Sequence, residues 1–238
     1  MNSIKTDTEN TKTDTTDLSI LISKLISNAI PPASVREPAS GCLSVMEECK
    51  VQHLPVVSSG MDYCGLVSES DIHAMPDSSM AVGGLALPQP CAKVEDSIFA
   101  VLNSVSQGKY SLLPVVDSQH KYRGYITPQS IIEELASLTS AEMPGGEIEL
   151  ESEDRDFSPA LISGITENNS MKITSLLTQR SGAHGIRAFI KLSGHETSSV
   201  IQGLERNGYR IRNVRQGDQK YSDMMEDRYK ALVRYMEM

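Results

Sequence analysis

This chain repeats itself. The stretch GLVSESDI, Gly65 to Ile72, returns 59 residues later as GYITPQSI, Gly124 to Ile131. Extended without gaps, the same offset aligns residues 33–72 with 92–131 and gives 12 identities in 40 positions. Leu54-Pro55-Val56-Val57 falls on Leu113-Pro114-Val115-Val116, and Gly65 falls on Gly124. The period is longer than the roughly 20–50 residues of a solenoid unit, so the repeat predicts a tandem pair of small domains. One difference matters chemically. The first copy has Asp71 where the second has Ser130, although each keeps a hydroxyl three residues earlier, at Ser68 and Thr127.

Each copy reads as strand, helix, strand, turn, strand, helix. ASGCLSVMEECK puts Leu43 and Met46 at helical spacing, with Val45 and Cys49 nearby, and ends on Lys50. HLPVV is short, apolar and rich in β-branched residues, which predicts a buried strand. Proline cannot donate to a ladder, so Pro55 is expected at the strand's start or on a sheet edge. SSGMD is turn chemistry and YCGLV the partner strand. In SESDI a hydroxyl precedes a carboxylate by three residues, just before an apolar run, which is a capping-box pattern for the next helix. In the second copy DSQHK supplies the turn and TPQSIIEELASL the helix. Pro128 stands at its first position, where a missing N–H costs little.

After ASLTS the composition changes. AEMPGG reads as a linker, and GEIELE alternates with period two, as a half-buried strand does. SPALISGITENNSM predicts a helix with Leu161, Ile162 and Ile165 on one face. KITSLLTQ and IRAFIKLS predict strands, and ETSSVIQGLERNG a helix ended by Gly208. YRIRNV predicts a closing strand with Tyr209, Ile211 and Asn213 on one face. The order βαββαβ implies a ferredoxin-like sandwich. Arg206, Arg210, Arg212 and Arg215 crowd the closing strand, and alternation puts Arg210 and Arg212 on a solvated face. In the tail, Met225, Tyr229, Leu232 and Met236 recur at i, i+4, i+7 and i+11, an amphipathic helix expected to pack on its own or a partner subunit.

The net charge of −9 argues against a polyanion partner, because phosphate-backbone binding depends on a basic face. A single nucleotide needs only one or two cations and some backbone N–H groups. The four cysteines, Cys42, Cys49, Cys64 and Cys91, have no CxxC spacing, and the five histidines lack metal-ligand spacing. Buried free thiols in a reducing compartment are the expectation. The first residues, MNSIKTDTENTKTDTTD, are polar and lack the apolar core of a secretory signal. They read as a disordered leader, and the chain reads as cytoplasmic.

His53-Leu54-Pro55-Val56-Val57 followed by Gly65-Leu66-Val67-Ser68-x-x-Asp71-Ile72, twice at this spacing, resembles a tandem CBS-domain pair, also called a Bateman module. The third segment resembles an ACT-type domain, and together they resemble CBS/ACT proteins of the acetoin-utilisation type. The implied fold is α/β (α+β): leader 1–17, CBS domains over 18–80 and 81–140, linker 141–146, ACT-like domain 147–216 and C-terminal helix 217–238. LISKLISNAIPPASV and LALPQPCAKV would supply the helix and short strand that open each copy. ACT domains sense amino acids with an Asp-x-x-Gly turn after the first strand. Here Asp156 stands in RDFSPA without that glycine, which favours a dimerising or packing role.

The resemblance implies a ligand site between the copies. Ser68 and Asp71 would hold the ribose, Ile30 and Pro31 would meet the base edge, and His53, Leu54 and Pro55 would form the cleft wall. Thr127 keeps the hydroxyl of a second site, whose Ser130 cannot accept a bidentate diol contact. AMP, ADP, ATP or S-adenosylmethionine would be the regulatory ligand, with no required cofactor, no metal, no nucleic acid and no membrane. The sequence has no GxGxxG, P-loop, GxSxG or HExxH, and no catalytic constellation is visible, so a non-enzymatic regulatory homodimer is the expectation. The alternative is a ligand-free dimerisation scaffold that contacts a partner enzyme.

Overall fold

The computed structural model describes residues 20–216. The expected leader and the amphipathic tail helix lie outside the described residues. The chain divides into two compact units at Ile132/Glu133.

In the first unit, the opening copy runs α1 (Ile20–Leu25), β1 (Ala33–Ser34), α2 (Ala39–Cys49), β2 (His53–Val57), β3 (Tyr63–Ser68) and α3 (Glu69–His73). The second follows with β4 (Ala92–Lys93), α4 (Ile98–Gly108), β5 (Leu113–Val116) and β6 (Tyr122–Ile126), and the boundary falls within the helix after it, α5 (Pro128–Leu138). Each copy builds a three-stranded sheet, β1-β2-β3 and β4-β5-β6, with the repeated LPVV in the middle. The registers are copies too. Ala33 pairs with Val56 as Ala92 does with Val115, and Val56 with Gly65 as Val115 with Gly124. Even the helix ends match: Lys50 and Lys109 both cap in the left-handed conformation, at φ 54° and 49°.

Pro55 stands third in a five-residue strand that is the middle one of its sheet, not at its start or edge. The geometry is still consistent with its missing donor. β1 reaches only Val56 and Val57, so no strand flanks β2 on that side at Pro55.

The segment before β4 also departs from expectation. Val82–Gly84 is a 3₁₀ turn, and no helix follows in LALPQPCAKV. Its prolines oppose a helix, and its backbone has other work: Pro88 O accepts from Leu66 N at 2.8 Å, on the free side of β3. The opening segment of the first copy does the reciprocal thing, with Ser27 and Tyr125 exchanging two backbone bonds at 2.8 and 3.0 Å. Each copy thus lends its lead-in to the other's sheet. The repeated glycines make room for this. A Cβ at Gly65 (φ +145°) would lie 2.5 Å from Leu87 Cβ, and one at Gly124 (φ +136°) 2.5 Å from Ile26 Cγ2.

A local two-fold relates the copies. Tyr63 N donates to His120 O at 3.1 Å, and Tyr122 N to Met61 O at 2.9 Å, bonds that interconvert under the 59-residue shift. Between them Asp62 bridges its own counterpart, Lys121, with Nζ 2.6 Å from Oδ1. Beneath lie two further symmetry pairs, Val57 with Val116 and Tyr63 with Tyr122, all buried.

The second unit contains β7 (Glu147–Glu153), α6 (Pro159–Asn168), β8 (Ile173–Ser181), β9 (Gly185–Leu192), α7 (Ser198–Arg206) and β10 (Arg210–Arg215). The antiparallel order β10-β7-β9-β8 is the ferredoxin-like arrangement. Ile148, Leu150, Ala188 and Ile190 form one core with Ile162, Val200 and Leu204 of the helices. Two facial assignments change. Leu161 is 39% exposed while Ile162 and Ile165 are buried, so the inward stripe starts one residue later. Asn213 is exposed because the β10 register shifts between Ile211 and Asn213, and that bulge hands the inward position to Val214, which pairs with Ile148. Among the cysteines only Cys42 is buried; Cys49, Cys64 and Cys91 are half-buried thiols, less enclosed than expected.

Candidate functional site

Strand β3 ends at Ser68, and α3 begins at once. Ser68 Oγ accepts from Asp71 N at 3.1 Å, and Asp71 Oδ2 accepts from Ser68 N at 3.0 Å, a complete capping box. The Ser68 hydroxyl also donates to the same carboxylate oxygen, at 2.6 Å. Oδ2 therefore holds two donors, its full capacity, whereas Oδ1 has no hydrogen-bond partner among the described residues. The half-buried carboxylate lines a cavity of about 280 Å³, walled by Met75, Met80, Leu85 and Leu87. That volume lies at the lower edge of the roughly 300–1,000 Å³ usual for small-molecule sites.

His53 sits opposite Ser68 in the β2–β3 register, which brings β2 to the same spot. Burial pulls its pKa below the ordinary value, and the nearby Asp71 charge opposes that shift. Its Nδ1 lies 3.1 Å from Ser111 Oγ and accepts from Ser111 N at 3.3 Å. The ring meets Tyr110 edge-on at 5.8 Å. Tyr110 and Ser111 belong to the second copy, so His53 joins the two copies; none of these three residues lines the cavity beside Asp71. The sequence reading missed both residues. Their only signal was position: they precede LPVV as Val51 and Gln52 precede His53 and its own LPVV.

The other expected residues divide by burial. Ile30 and Leu54 pack in the core at 9% and 1% exposure, Pro55 is buried as well, and none of the three lines the cavity beside Asp71. Pro31 is exposed. In the second copy, Thr127 Oγ1 accepts from Ser130 N at 3.1 Å, and Ser130 Oγ accepts from Thr127 N at 3.3 Å. The capping pattern survives there in neutral form. In the second unit, Asp156 ends an exposed 3₁₀ turn after β7 and pairs with Arg155 at 3.5 Å. Arg212 is paired with Glu151 at 2.5 Å on the solvated sheet face. Among the described residues, no helix is long and apolar enough to cross a membrane.

Several solved structures are similar. A CBS domain pair/ACT domain protein from Thermotoga maritima is 21% identical, with a TM-score of 0.46 over 49% of this chain and 96% of that one. CBSX2 of Arabidopsis thaliana, solved in complex with AMP, is 20% identical, with a TM-score of 0.44 over 49% and 96%. CbpB in complex with c-di-AMP is 20% identical, with a TM-score of 0.43 over 50% and 84%. The fold is the α/β one expected, two copies of one three-stranded unit followed by a ferredoxin-like domain. Within it, residues 82–137 match the CBS domain family.

Proposed function

We propose that the first copy binds the ribose of an adenosine-containing ligand through Asp71, and that the protein is a regulator without catalytic chemistry of its own. The observation that carries this reading is the state of the Asp71 carboxylate. One oxygen is saturated by the capping box, and the other is open beside an apolar cavity. A carboxylate oxygen with two open lone pairs can accept from both hydroxyls of a ribose diol. The methionine and leucine walls would take the base. AMP, ADP and ATP fit this chemistry, and AMP and c-di-AMP are the ligands carried by two of the similar proteins. S-adenosylmethionine offers the same diol. Ser130 leaves the second copy without a charged acceptor, so one site dominates.

A ligand can bias such a protein only through preference for one arrangement over another. Tyr110 and Ser111 give it a lever, since they join the second copy to His53 beside the site. The assembly we assign is a cytoplasmic homodimer acting on a partner enzyme, with the acetoin-utilisation type as the nearest functional class. A second reading follows from the same capping box: it is complete without a ligand, as a ligand-free scaffold would require. Isothermal titration with AMP, ATP and S-adenosylmethionine separates the two. One site of micromolar or tighter affinity, lost in Asp71→Ala, supports the sensor. No heat with any of them, from protein shown to be ligand-free by mass spectrometry, supports the scaffold.

A further inference from the structure

Adenosine compounds share a base and a ribose diol and differ at the 5′ carbon, so the surroundings of Asp71 decide among them by what they offer that end. Among the described residues lining the cavity, Asp71 alone is charged; the others are alanine, glycine, proline, methionine and leucine. Glu69 puts a second acid in the first turn of α3. The two histidines of this neighbourhood are engaged. The His73 ring lies 3.6 Å from Glu69. His53 receives the Ser111 N–H at Nδ1, 3.3 Å away, which only a ring without a proton on that nitrogen can do.

The backbone donors that cradle a phosphate where a strand turns into a helix are also in use. Ser68 N donates to Asp71 Oδ2, Asp71 N to Ser68 Oγ, and Glu69 N to Gln52 O at 2.9 Å. The cavity, about 280 Å³, is at the small end for a ligand site, which suits a nucleoside better than a nucleoside with a phosphate chain. We propose, resting on the ribose role of Asp71 argued above, that this site selects adenosine compounds with no phosphate on the 5′ carbon: the free nucleoside, or one with an apolar or cationic substituent there. The open Asp71 oxygen takes the diol of any of them, and the 5′ end sets the preference. A 5′ phosphate brings nearly two negative charges towards a carboxylate whose cavity holds no compensating cation. Met75 and Met80 offer that end soft apolar sulfur instead.

Titration calorimetry on the full chain, freed of ligand, compares adenosine, AMP and ATP. Adenosine should bind at least about fivefold more tightly than either phosphorylated compound, and added salt should narrow the gap by screening the repulsion. Ala74→Arg, at an exposed position on the cavity wall, should raise the affinity for AMP relative to that for adenosine. AMP or ATP binding as tightly as adenosine and loosening as salt rises overturns the selectivity; the ribose role of Asp71 then stands if Asp71→Asn weakens all three. Adenosine that fails to bind, or that binds Asp71→Asn as it binds the wild type, overturns both.

Discussion

Replacing Asp71 by serine makes the first copy carry what the second already has. The second copy shows what the local structure would become: Thr127 and Ser130 keep the reciprocal bonds of a capping box, at 3.1 and 3.3 Å, without a charge. Asp71→Ser therefore exchanges a charge-assisted acceptor, worth roughly 1.5–3 kcal/mol, for a neutral one worth about 1. Because the carboxylate is half-exposed, the net loss should be about 1 kcal/mol, a shift of a few degrees in Tm. Ligand binding should suffer more. Both ribose hydroxyls lose their shared anionic acceptor, which weakens affinity by about tenfold or more. Thermal melts and titration calorimetry with AMP on the same samples read the two effects separately. Unchanged affinity alongside the modest Tm loss would show that the acid only caps α3, and would refute its ribose role. The converse variant, Ser130→Asp, should strengthen the second site.

Three other outcomes can be checked directly. His53 has its pKa lowered below 6.5, so as pH falls through 6.5 the unfolded chain takes up a proton before the folded one does. Its stabilising contribution is complete above that pH and is lost below it; urea midpoints should fall on acidification, and His53→Gln should flatten the slope. Cys42 is 1% exposed and its thiol is pushed up to about 11, by burial first and the Glu37 charge second. Iodoacetamide at neutral pH should leave it unmodified in the native protein and label it on unfolding; native labelling would contradict the packing of α2. Gly65→Ala must hold a non-glycine residue at φ +145° with its Cβ against Leu87. That should cost about 2–4 kcal/mol in chemical denaturation, and a stability equal to wild type would mean that the Leu85–Pro90 segment does not hug β3.

The repeat made the first unit legible because every identity answers to something local. LPVV is a strand in both copies, and Ser68 three residues before Asp71, just ahead of an apolar run, caps a helix. The second unit was legible from period alone, since Glu147, Glu149 and Glu151 alternate with Ile148 and Leu150. What escaped involves pairs distant in sequence or a break in period. Leu85–Cys91 runs extended because β3 offers it hydrogen bonds, a partner that propensity cannot see. One inserted residue in β10 moves Asn213 outward and Val214 inward. Of the site, Ser68 and Asp71 could be paired from spacing, and His53 joined to them through strand register. Tyr110 and Ser111 arrive from the other copy by tertiary folding, and no local rule connects residues 58 apart.

The salt bridge between Asp62 and Lys121 joins a position to its own counterpart. Were the two halves separate identical subunits, that position would set aspartate against aspartate or lysine against lysine across the axis, and neither would attract. Within one polypeptide the halves need not be identical, so each can carry the charge that the other lacks. The same freedom allows an acid at position 71 in one half and Ser130 in its twin. A lopsided pair of this kind has one defined orientation, with two chemically different sides.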